Sequence, residues 1–331
     1  METPMRIALL DDWQGIAEAA VDWTKLRAED EVVIFRTGFD SPAATIAALK
    51  DFDVIMAMRE RTWLGADVIA GLPKLRLLTS TGPRNAAVDV PACTERGIIV
   101  CNTQSTGSSN DTPELALALL LAAARHIPLG DAEVRGGRFQ ENVPPGLGLY
   151  GRTLGIIGLG RIGGRVASYA QAIGMNIIAW SQNLTDERCA EVGVRRVDKA
   201  TLLAEADAVT IHLVLSARTR GLLGADDLAR MKPGAILVNT SRGPIIDEPA
   251  LIAALHAGRI TAALDVFDRE PLRANHPLRT APNTVLAPHV GYVTRDNMRG
   301  FYEQTLENIV AWKAGAPIRV VNPEVLQHRQ G

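Results

Sequence analysis

Three short stretches in the second half of the chain hold the residue types that proton and carboxylate chemistry require. "VNTSRGPIID" (238–247) places Arg242 just after an apolar run, and "ALDVFDREP" (263–271) places Asp265 and Glu270 after another. "VLAPHVGYVT" (285–294) places His289 at the end of a third. An arginine can grip a carboxylate through two parallel N–H donors. A histidine exchanges a proton near neutrality, and a neighbouring carboxylate favours its charged form and fixes its ring. Each residue alone has a plainer reading. Arg242 could be a surface ion-pair partner, Glu270 a loop carboxylate before proline, and His289 a core imidazole on a backbone carbonyl. Their shared position after successive strands favours a common site, because ligands of open parallel sheets bind beyond the carboxyl ends of the strands.

A fourth stretch supplies a phosphate cradle. "GIIGLGRIGGRVASYAQAIG" (155–174) carries a GxGxxG pattern between an apolar run and a helical one. In that context Gly158 permits a tight turn, Gly160 lets a pyrophosphate approach the backbone, and Gly163 lets the helix pack on the strand. The N–H groups near Arg161 and Ile162 then face the phosphates. The next apolar run, "NIIAW" (176–180), is followed by Ser181, Gln182 and Asn183, where an aspartate or glutamate usually grips the adenosine ribose. The missing carboxylate would otherwise repel a 2′-phosphate, so NAD or NADP is expected as cofactor, with weak discrimination. Arg188 is the nearest basic residue.

The elements that must position these residues read as alternating strands and helices. Apolar runs at 6–10, 31–35, 53–58, 75–80 and 98–101 form one group. Runs at 153–158, 176–180, 206–213, 235–239, 262–266 and 284–289 form a second. Near-continuous apolar strands between helices imply parallel sheets covered on both faces. Ser41 and Pro42 mark a helix start, and Pro249 and Gly258 bracket another helix. Thr112 is expected to cap a helix opening at Pro113. The last helix is expected from Thr294 to Trp312, with Met298, Phe301, Leu306, Ile309 and Val310 on one side. The Gly- and Pro-rich segment 130–151 reads as an extended arm, and the tail after the last helix is expected to pack back on the first group.

Composition narrows the function class. The chain has 331 residues, 47% hydrophobic and 22% charged, enough for two ordinary globular domains. A net charge of −2 offers no general attraction to nucleic acid or to an anionic membrane. Cys93, Cys101 and Cys189 are scattered, with neither a disulfide framework nor zinc spacing, and Cys101 reads as a small core residue. The N-terminal stretch lacks the pattern of a signal peptide, and "LALALLLAAA" (115–124) is too short for a membrane span and reads as a buried helix. A cytoplasmic protein is expected.

Taken together, "LGIIGLGRIGGRVA", "MKPGAILVNTSRGPIIDEPAL", "AALDVFDREPL" and "NTVLAPHVGYVT" resemble the D-isomer-specific 2-hydroxyacid dehydrogenases over most of the chain. The resemblance implies two doubly wound α/β parallel-sheet domains. A Rossmann-like cofactor domain (104–294) would be inserted in a flavodoxin-like substrate domain (1–103 plus 295–331). It implies Arg242 as the group that binds the substrate carboxylate and carbonyl oxygen, His289 as proton donor or acceptor, and Glu270 as its support. It implies Asp265 at the nicotinamide carboxamide, and Ser181, His212, Thr240 and Thr112 as further cofactor contacts. The family's "HxP" here reads "HLV", with Val214 for the proline. NADP-preferring members usually place an arginine directly after the serine, where this chain has Gln182. Members also carry a glycine-rich loop in the substrate domain whose N–H groups bind the substrate carboxylate. The matching stretch, "TSTGPRNAAVD" (79–89), has Pro83 without an N–H, so Gly82 and Arg84, with Arg59, are expected to take that part. The implied substrate is a small 2-oxo acid of the glyoxylate or hydroxypyruvate type, and the implied assembly is a homodimer through the cofactor domain. An alternative of the same fold is a corepressor-like protein whose assembly is governed by bound dinucleotide.

Overall fold

A computed structural model describes residues 4–104 and 110–327, so the first three residues of the N-terminal stretch lie outside the described residues. The chain divides into two compact units, Met1–Ser108 with Thr294–Gly331, and Ser109–Val293.

The first unit is built on β1 (Arg6–Leu9), β2 (Glu31–Ile34), β3 (Val54–Ala57), β4 (Leu77–Ser80) and β5 (Ile99–Asn102). They form one parallel sheet in the order β2-β1-β3-β4-β5, the flavodoxin-like order. Parallel neighbours need a crossover, and helices such as Pro42–Leu49 supply it. Ser41 caps that helix as expected, its Oγ accepting the Ala44 N–H at 3.2 Å. Every residue of β3 and β4 is buried, which is why these strands read as runs rather than alternations. Cys101 is buried in β5, and burial pushes its thiol up to about 12.

The tail returns to this unit. Val321 donates to the Val100 carbonyl at 2.7 Å, and the Asn322 side chain accepts the Val100 N–H at 2.8 Å and donates to the Ile98 carbonyl at 2.9 Å. These bonds cover an edge strand whose donors and acceptors would otherwise stand unpaired. The last helix, Arg295–Lys313, buries Met298, Phe301, Tyr302, Ile309 and Trp312. Val310, expected on the same face, is 52% exposed. One step beyond Ile309 turns the helix by about 100°, off the i, i+3, i+4 row that the other buried residues follow.

The second unit holds β6 (Thr153–Ile157), β7 (Asn176–Trp180), β8 (Arg195–Arg196), β9 (Ala208–Ile211), β10 (Ala235–Asn239), β11 (Ile260–Leu264) and β12 (Thr284–Leu286). All pairs are parallel, in the order β12-β11-β10-β9-β6-β7-β8. Counted from β6, this is the dinucleotide-binding order with one further strand at the edge. Edge strand β8 carries no apolar residue, so hydrophobic pattern could not reveal it. β11 begins two residues before the expected run and ends at Leu264, which leaves Asp265 just beyond the strand.

Two expectations in this unit are corrected. The helix Asp111–Ala124 has Asn110 at its N-cap, so Thr112 lies inside the first turn and does not cap it. Thr112 instead donates from Oγ1 to the Gly291 carbonyl at 3.0 Å. The same helix buries Leu119, Leu120, Ala123 and Ala124, as expected of a core helix. Among the described residues no single helix is long and apolar enough to cross a membrane. The second correction concerns the arm, whose first residues belong to a helix, Ile127–Arg135, ended by Gly136 and Gly137. Pro128 starts this helix in its first turn, a signal masked by the Gly and Pro content that follows. Glu133 on it binds Arg138 at 2.8 Å and Asn142 at 2.9 Å, and Arg138 holds its carboxyl down at about 2. The beginning of the arm is thereby folded back onto its own helix.

Candidate active site

The glycine loop follows β6, and its three glycines answer three different demands. Gly158 has φ +101°, and a Cβ there would stand 2.5 Å from the His212 carbonyl oxygen. A Cβ on Gly163 would stand 2.1 Å from the Gly158 oxygen, so only glycine lets the helix Arg161–Ala172 seat against the loop. At Gly160 nothing lies within 4 Å of a Cβ, which leaves the backbone open to an approaching ligand. Gly160 is also the N-cap of that helix and has no side chain to cap it, so the first-turn N–H groups, those of Arg161 and Ile162 among them, present an anion site.

The strand register extends this loop into a row. Ile157 pairs with Trp180 and Ile211, and Asn239 pairs with Ile211 and Leu264. The next residue on each strand is therefore, in spatial order, Asp265, Thr240, His212, Gly158 and Ser181. Five adjacent strand ends span roughly 19 Å at the usual inter-strand spacing, room for an extended dinucleotide. The His212 ring is oriented by the buried Thr210 hydroxyl, 3.0 Å from its Nε2. Burial holds this imidazole down at about 3, hence neutral at pH 7. Its Nδ1 and the Thr240 Oγ1 are buried with no hydrogen-bond partner among the described residues. A buried polar atom without a partner costs about 1–3 kcal/mol, a cost that a ligand can relieve. Open backbone at Gly160 and two orphaned atoms along the row fit a nicotinamide dinucleotide. Val214, which replaces the proline of "HxP", is exposed.

At the far end of the row three loops meet. His289 Nδ1 is hydrogen-bonded to Glu270 Oε2. The other Glu270 oxygen accepts the Phe267 N–H at 2.9 Å, so the carboxylate cannot rotate away from the imidazole without losing a bond. His289 has φ +54°, a left-handed conformation rare outside glycine. Asp265 holds the backbone just beyond it, with Oδ1 accepting from Val290 at 2.7 Å and Oδ2 from Gly291 at 2.9 Å. Burial pushes the Asp265 carboxyl up, and those two N–H groups, with His289, work against that rise. The Tyr292 ring stands edge-on to the imidazole, 6.0 Å between centroids and 78° between planes.

The arginine loop joins the same corner. Asn239 folds it into a turn, its Nδ2 donating to the Arg242 carbonyl at 2.9 Å and its Oδ1 accepting from Ser241 at 2.9 Å. Ser241 Oγ ties the turn to the Ile211 carbonyl at 2.7 Å. A Cβ on Gly243 would stand 2.1 Å from the Phe267 carbonyl carbon, so this loop lies against the Phe267–Glu270 segment. The Arg242 guanidinium donates to the Ser241 carbonyl at 2.7 Å.

Three expected residues lie in the first unit, at the carboxyl ends of β3 and β4. The Arg59 guanidinium occupies the space beside Gly82, where a Cβ would be 1.7 Å from its Nη1, and donates to the carbonyls of Thr81 and Arg84. The Gly82 N–H donates to Thr103 Oγ1 at 2.9 Å, so that donor is already engaged. The Arg84 side chain is exposed.

Sequence reading missed the Asp265 clamp, the Phe267 N–H on Glu270 and the Thr112–Gly291 bond. The signals available were indirect: Asp265 directly follows an apolar run and Gly291 lies in the loop that carries His289.

Comparison with known proteins agrees with this architecture. Residues 117–291 match the family described as D-isomer specific 2-hydroxyacid dehydrogenase, NAD binding domain. A glyoxylate reductase of Korarchaeum cryptofilum is 38% identical over 295 residues, 87% of this chain and 88% of that protein. A D-3-phosphoglycerate dehydrogenase of Archaeoglobus fulgidus is 37% identical over 307 residues, 92% of this chain, and the chain spans 57% of its length. The crystal structure of a phosphoglycerate oxidoreductase from Vibrio cholerae superposes with a TM-score of 0.88 at 35% identity, covering 94% of this chain and 100% of that one.

Proposed function

The chain belongs to the D-isomer-specific 2-hydroxyacid dehydrogenase family, and we propose that it interconverts a small 2-oxo acid and the D-2-hydroxy acid, of the glyoxylate or hydroxypyruvate type. The observation that carries this reading is the His289–Glu270 pair, fixed by Phe267 N–H and by the Asp265 clamp, beside the arginine loop and at one end of the dinucleotide row. A reduced nicotinamide supplies the hydride that adds to the carbonyl carbon. Arg242 binds the substrate carboxylate and draws electron density toward the carbonyl oxygen. His289 gives that oxygen a proton from Nε2, while Glu270 on Nδ1 stabilises the charged imidazole before transfer. Asp265, Thr240, His212, Thr112, the glycine loop and Ser181 position the cofactor. In the first unit Arg59 and Arg84 carry the charge proposed for the substrate, and Gly82, its N–H bonded to Thr103, leaves the room that Arg59 occupies.

A turnover assay with a panel of 2-oxo acids and both NADH and NADPH tests this. Oxidation of cofactor that depends on glyoxylate or hydroxypyruvate is expected, and silence with every acid would sink the proposal. With Ser181, Gln182 and Asn183 in place of a carboxylate, NADPH is accepted and discrimination is weak. Catalytic efficiency favouring NADH by more than about a hundredfold, or ~2.7 kcal/mol, would refute that part.

We further propose that the cofactor-binding unit forms the homodimer contact through residues 127–150. Ile127, Val134, Phe139 and Tyr150, four large apolar side chains along this one stretch of chain, are 59%, 59%, 71% and 87% exposed. Sedimentation of the intact protein as a dimer, and of Phe139→Asp as a weaker one, is the expected result; a monomeric wild type would refute it.

A further inference from the structure

We infer that Arg188, with Gly164, is a positioning residue that holds the glycine loop in its anion-binding shape. The inference rests on the dinucleotide reading of that loop. It begins from a glycine the fingerprint leaves unused: Gly158, Gly160 and Gly163 satisfy the pattern, and Gly164 is extra.

Arg188 lies in the first turn of the helix Asp186–Val192, which follows the Ser181 turn. Its guanidinium reaches back across the neighbouring helix to the loop. Nε donates to the Leu159 carbonyl at 3.1 Å and Nη2 to the Gly160 carbonyl at 3.4 Å. Nη1 donates to Glu191 Oε2 at 2.8 Å, which keeps the head group from swinging outward. A Cβ on Gly164 would stand 2.8 Å from Nη2, so the space a side chain would take at position 164 is filled by the guanidinium.

In a trans peptide the carbonyl and the following N–H point in opposite directions. Drawing the Leu159 and Gly160 carbonyls to the Arg188 side therefore turns the N–H groups of Gly160 and Arg161 to the other side. Those are the donors a pyrophosphate needs. The Gly160 carbonyl also accepts the helical bond from Gly164 at 2.9 Å, so the arginine and the helix act on one peptide group. With Glu191 paired to it, Arg188 works through loop geometry, and NAD and NADP are affected alike.

The test is calorimetric titration of the intact protein with ADP-ribose, NADH and NADPH. Arg188→Ala is expected to raise all three dissociation constants by about tenfold, by the same factor for NADH and NADPH. Arg188→Lys, with one donor centre for two carbonyls, recovers part of the loss. Gly164→Ala displaces the guanidinium and raises the same constants several-fold, and adding it to Arg188→Ala brings no further loss, since both remove one interaction. In steady state the change falls on the KM for cofactor, and the KM for the oxo acid is unmoved. Unchanged dissociation constants in the variants would overturn the inference. A loss confined to NADPH would overturn it too, by making Arg188 a 2′-phosphate contact. An additive double variant would uncouple Gly164 from Arg188 and also count against it. ADP-ribose binding needs no turnover, so a wild type that binds it but reduces no oxo acid would refute the proposed reaction while leaving this inference standing.

Discussion

Replacing His289 with alanine is expected to lower kcat by about 10²- to 10⁴-fold, the usual worth of a general acid held in place. Reduction of a carbonyl leaves a negative oxygen unless a proton arrives, and water is a poor donor at neutral pH. His289 is held for that task from several sides. Glu270 bonds its Nδ1, Phe267 N–H pins Glu270, and Asp265 clamps the backbone at Val290 and Gly291. Loss of the imidazole leaves all of these backbone restraints in place. The variant should therefore still bind ADP-ribose like the parent, because the glycine loop lies on other strands. Glu270→Gln is expected to fall between the two. It keeps the hydrogen-bonding shape but removes the charge that favours the protonated ring. Steady-state rates at saturating cofactor, with calorimetry of ADP-ribose on the same preparations, check both expectations. A kcat within a few-fold of the parent for His289→Ala would remove the residue from the reaction.

The sequence was informative wherever one physical demand dominates a stretch. Both faces of a parallel strand are covered, so β3, β4, β9 and β10 appear as apolar runs. The glycine loop is legible because steric exclusion at Gly158 and Gly163 admits only one residue type. His289, Glu270 and Arg242 stood out as chemistry-bearing residues after strands, and the structure places all three in loops that meet at one end of the sheet. What stayed hidden depends on contacts between distant segments. Asp265 is a plausible ligand residue by position, yet its two oxygens are engaged by backbone N–H groups twenty-five and twenty-six residues later. Thr112 reads as a helix cap because a capping residue type stands there before proline, but the helix starts at Asp111 with Asn110 as N-cap, and Thr112 Oγ1 bonds the Gly291 carbonyl instead. Arg188's hold on the glycine loop gave no local signal, since the two carbonyls it binds lie 28 and 29 residues earlier.

Removal of the Arg242 side chain should cost kcat/KM for a 2-oxo acid about 10²- to 10³-fold, the range seen when a donor to a developing oxyanion is lost. The surrounding turn makes this a clean measurement. Asn239 grips the Arg242 carbonyl, Ser241 Oγ bonds the Ile211 carbonyl, and Gly243 lies against the Phe267 backbone. These contacts do not use the guanidinium, and of the turn's bonds Arg242→Ala removes the one to the Ser241 carbonyl, so the loop and the dinucleotide affinity should be largely kept. Arg242→Lys should recover little. An ammonium is a point charge on a flexible stem and cannot reproduce a planar two-point grip on a carboxylate. The distinguishing readout is substrate preference. The parent should reduce glyoxylate far better than an aldehyde of similar size that lacks the carboxylate, and Arg242→Ala should lose most of that preference. An alanine variant that still favours the carboxylate substrate by the parental factor would assign carboxylate binding elsewhere, with Arg59 and Arg84 of the first unit the next residues to replace.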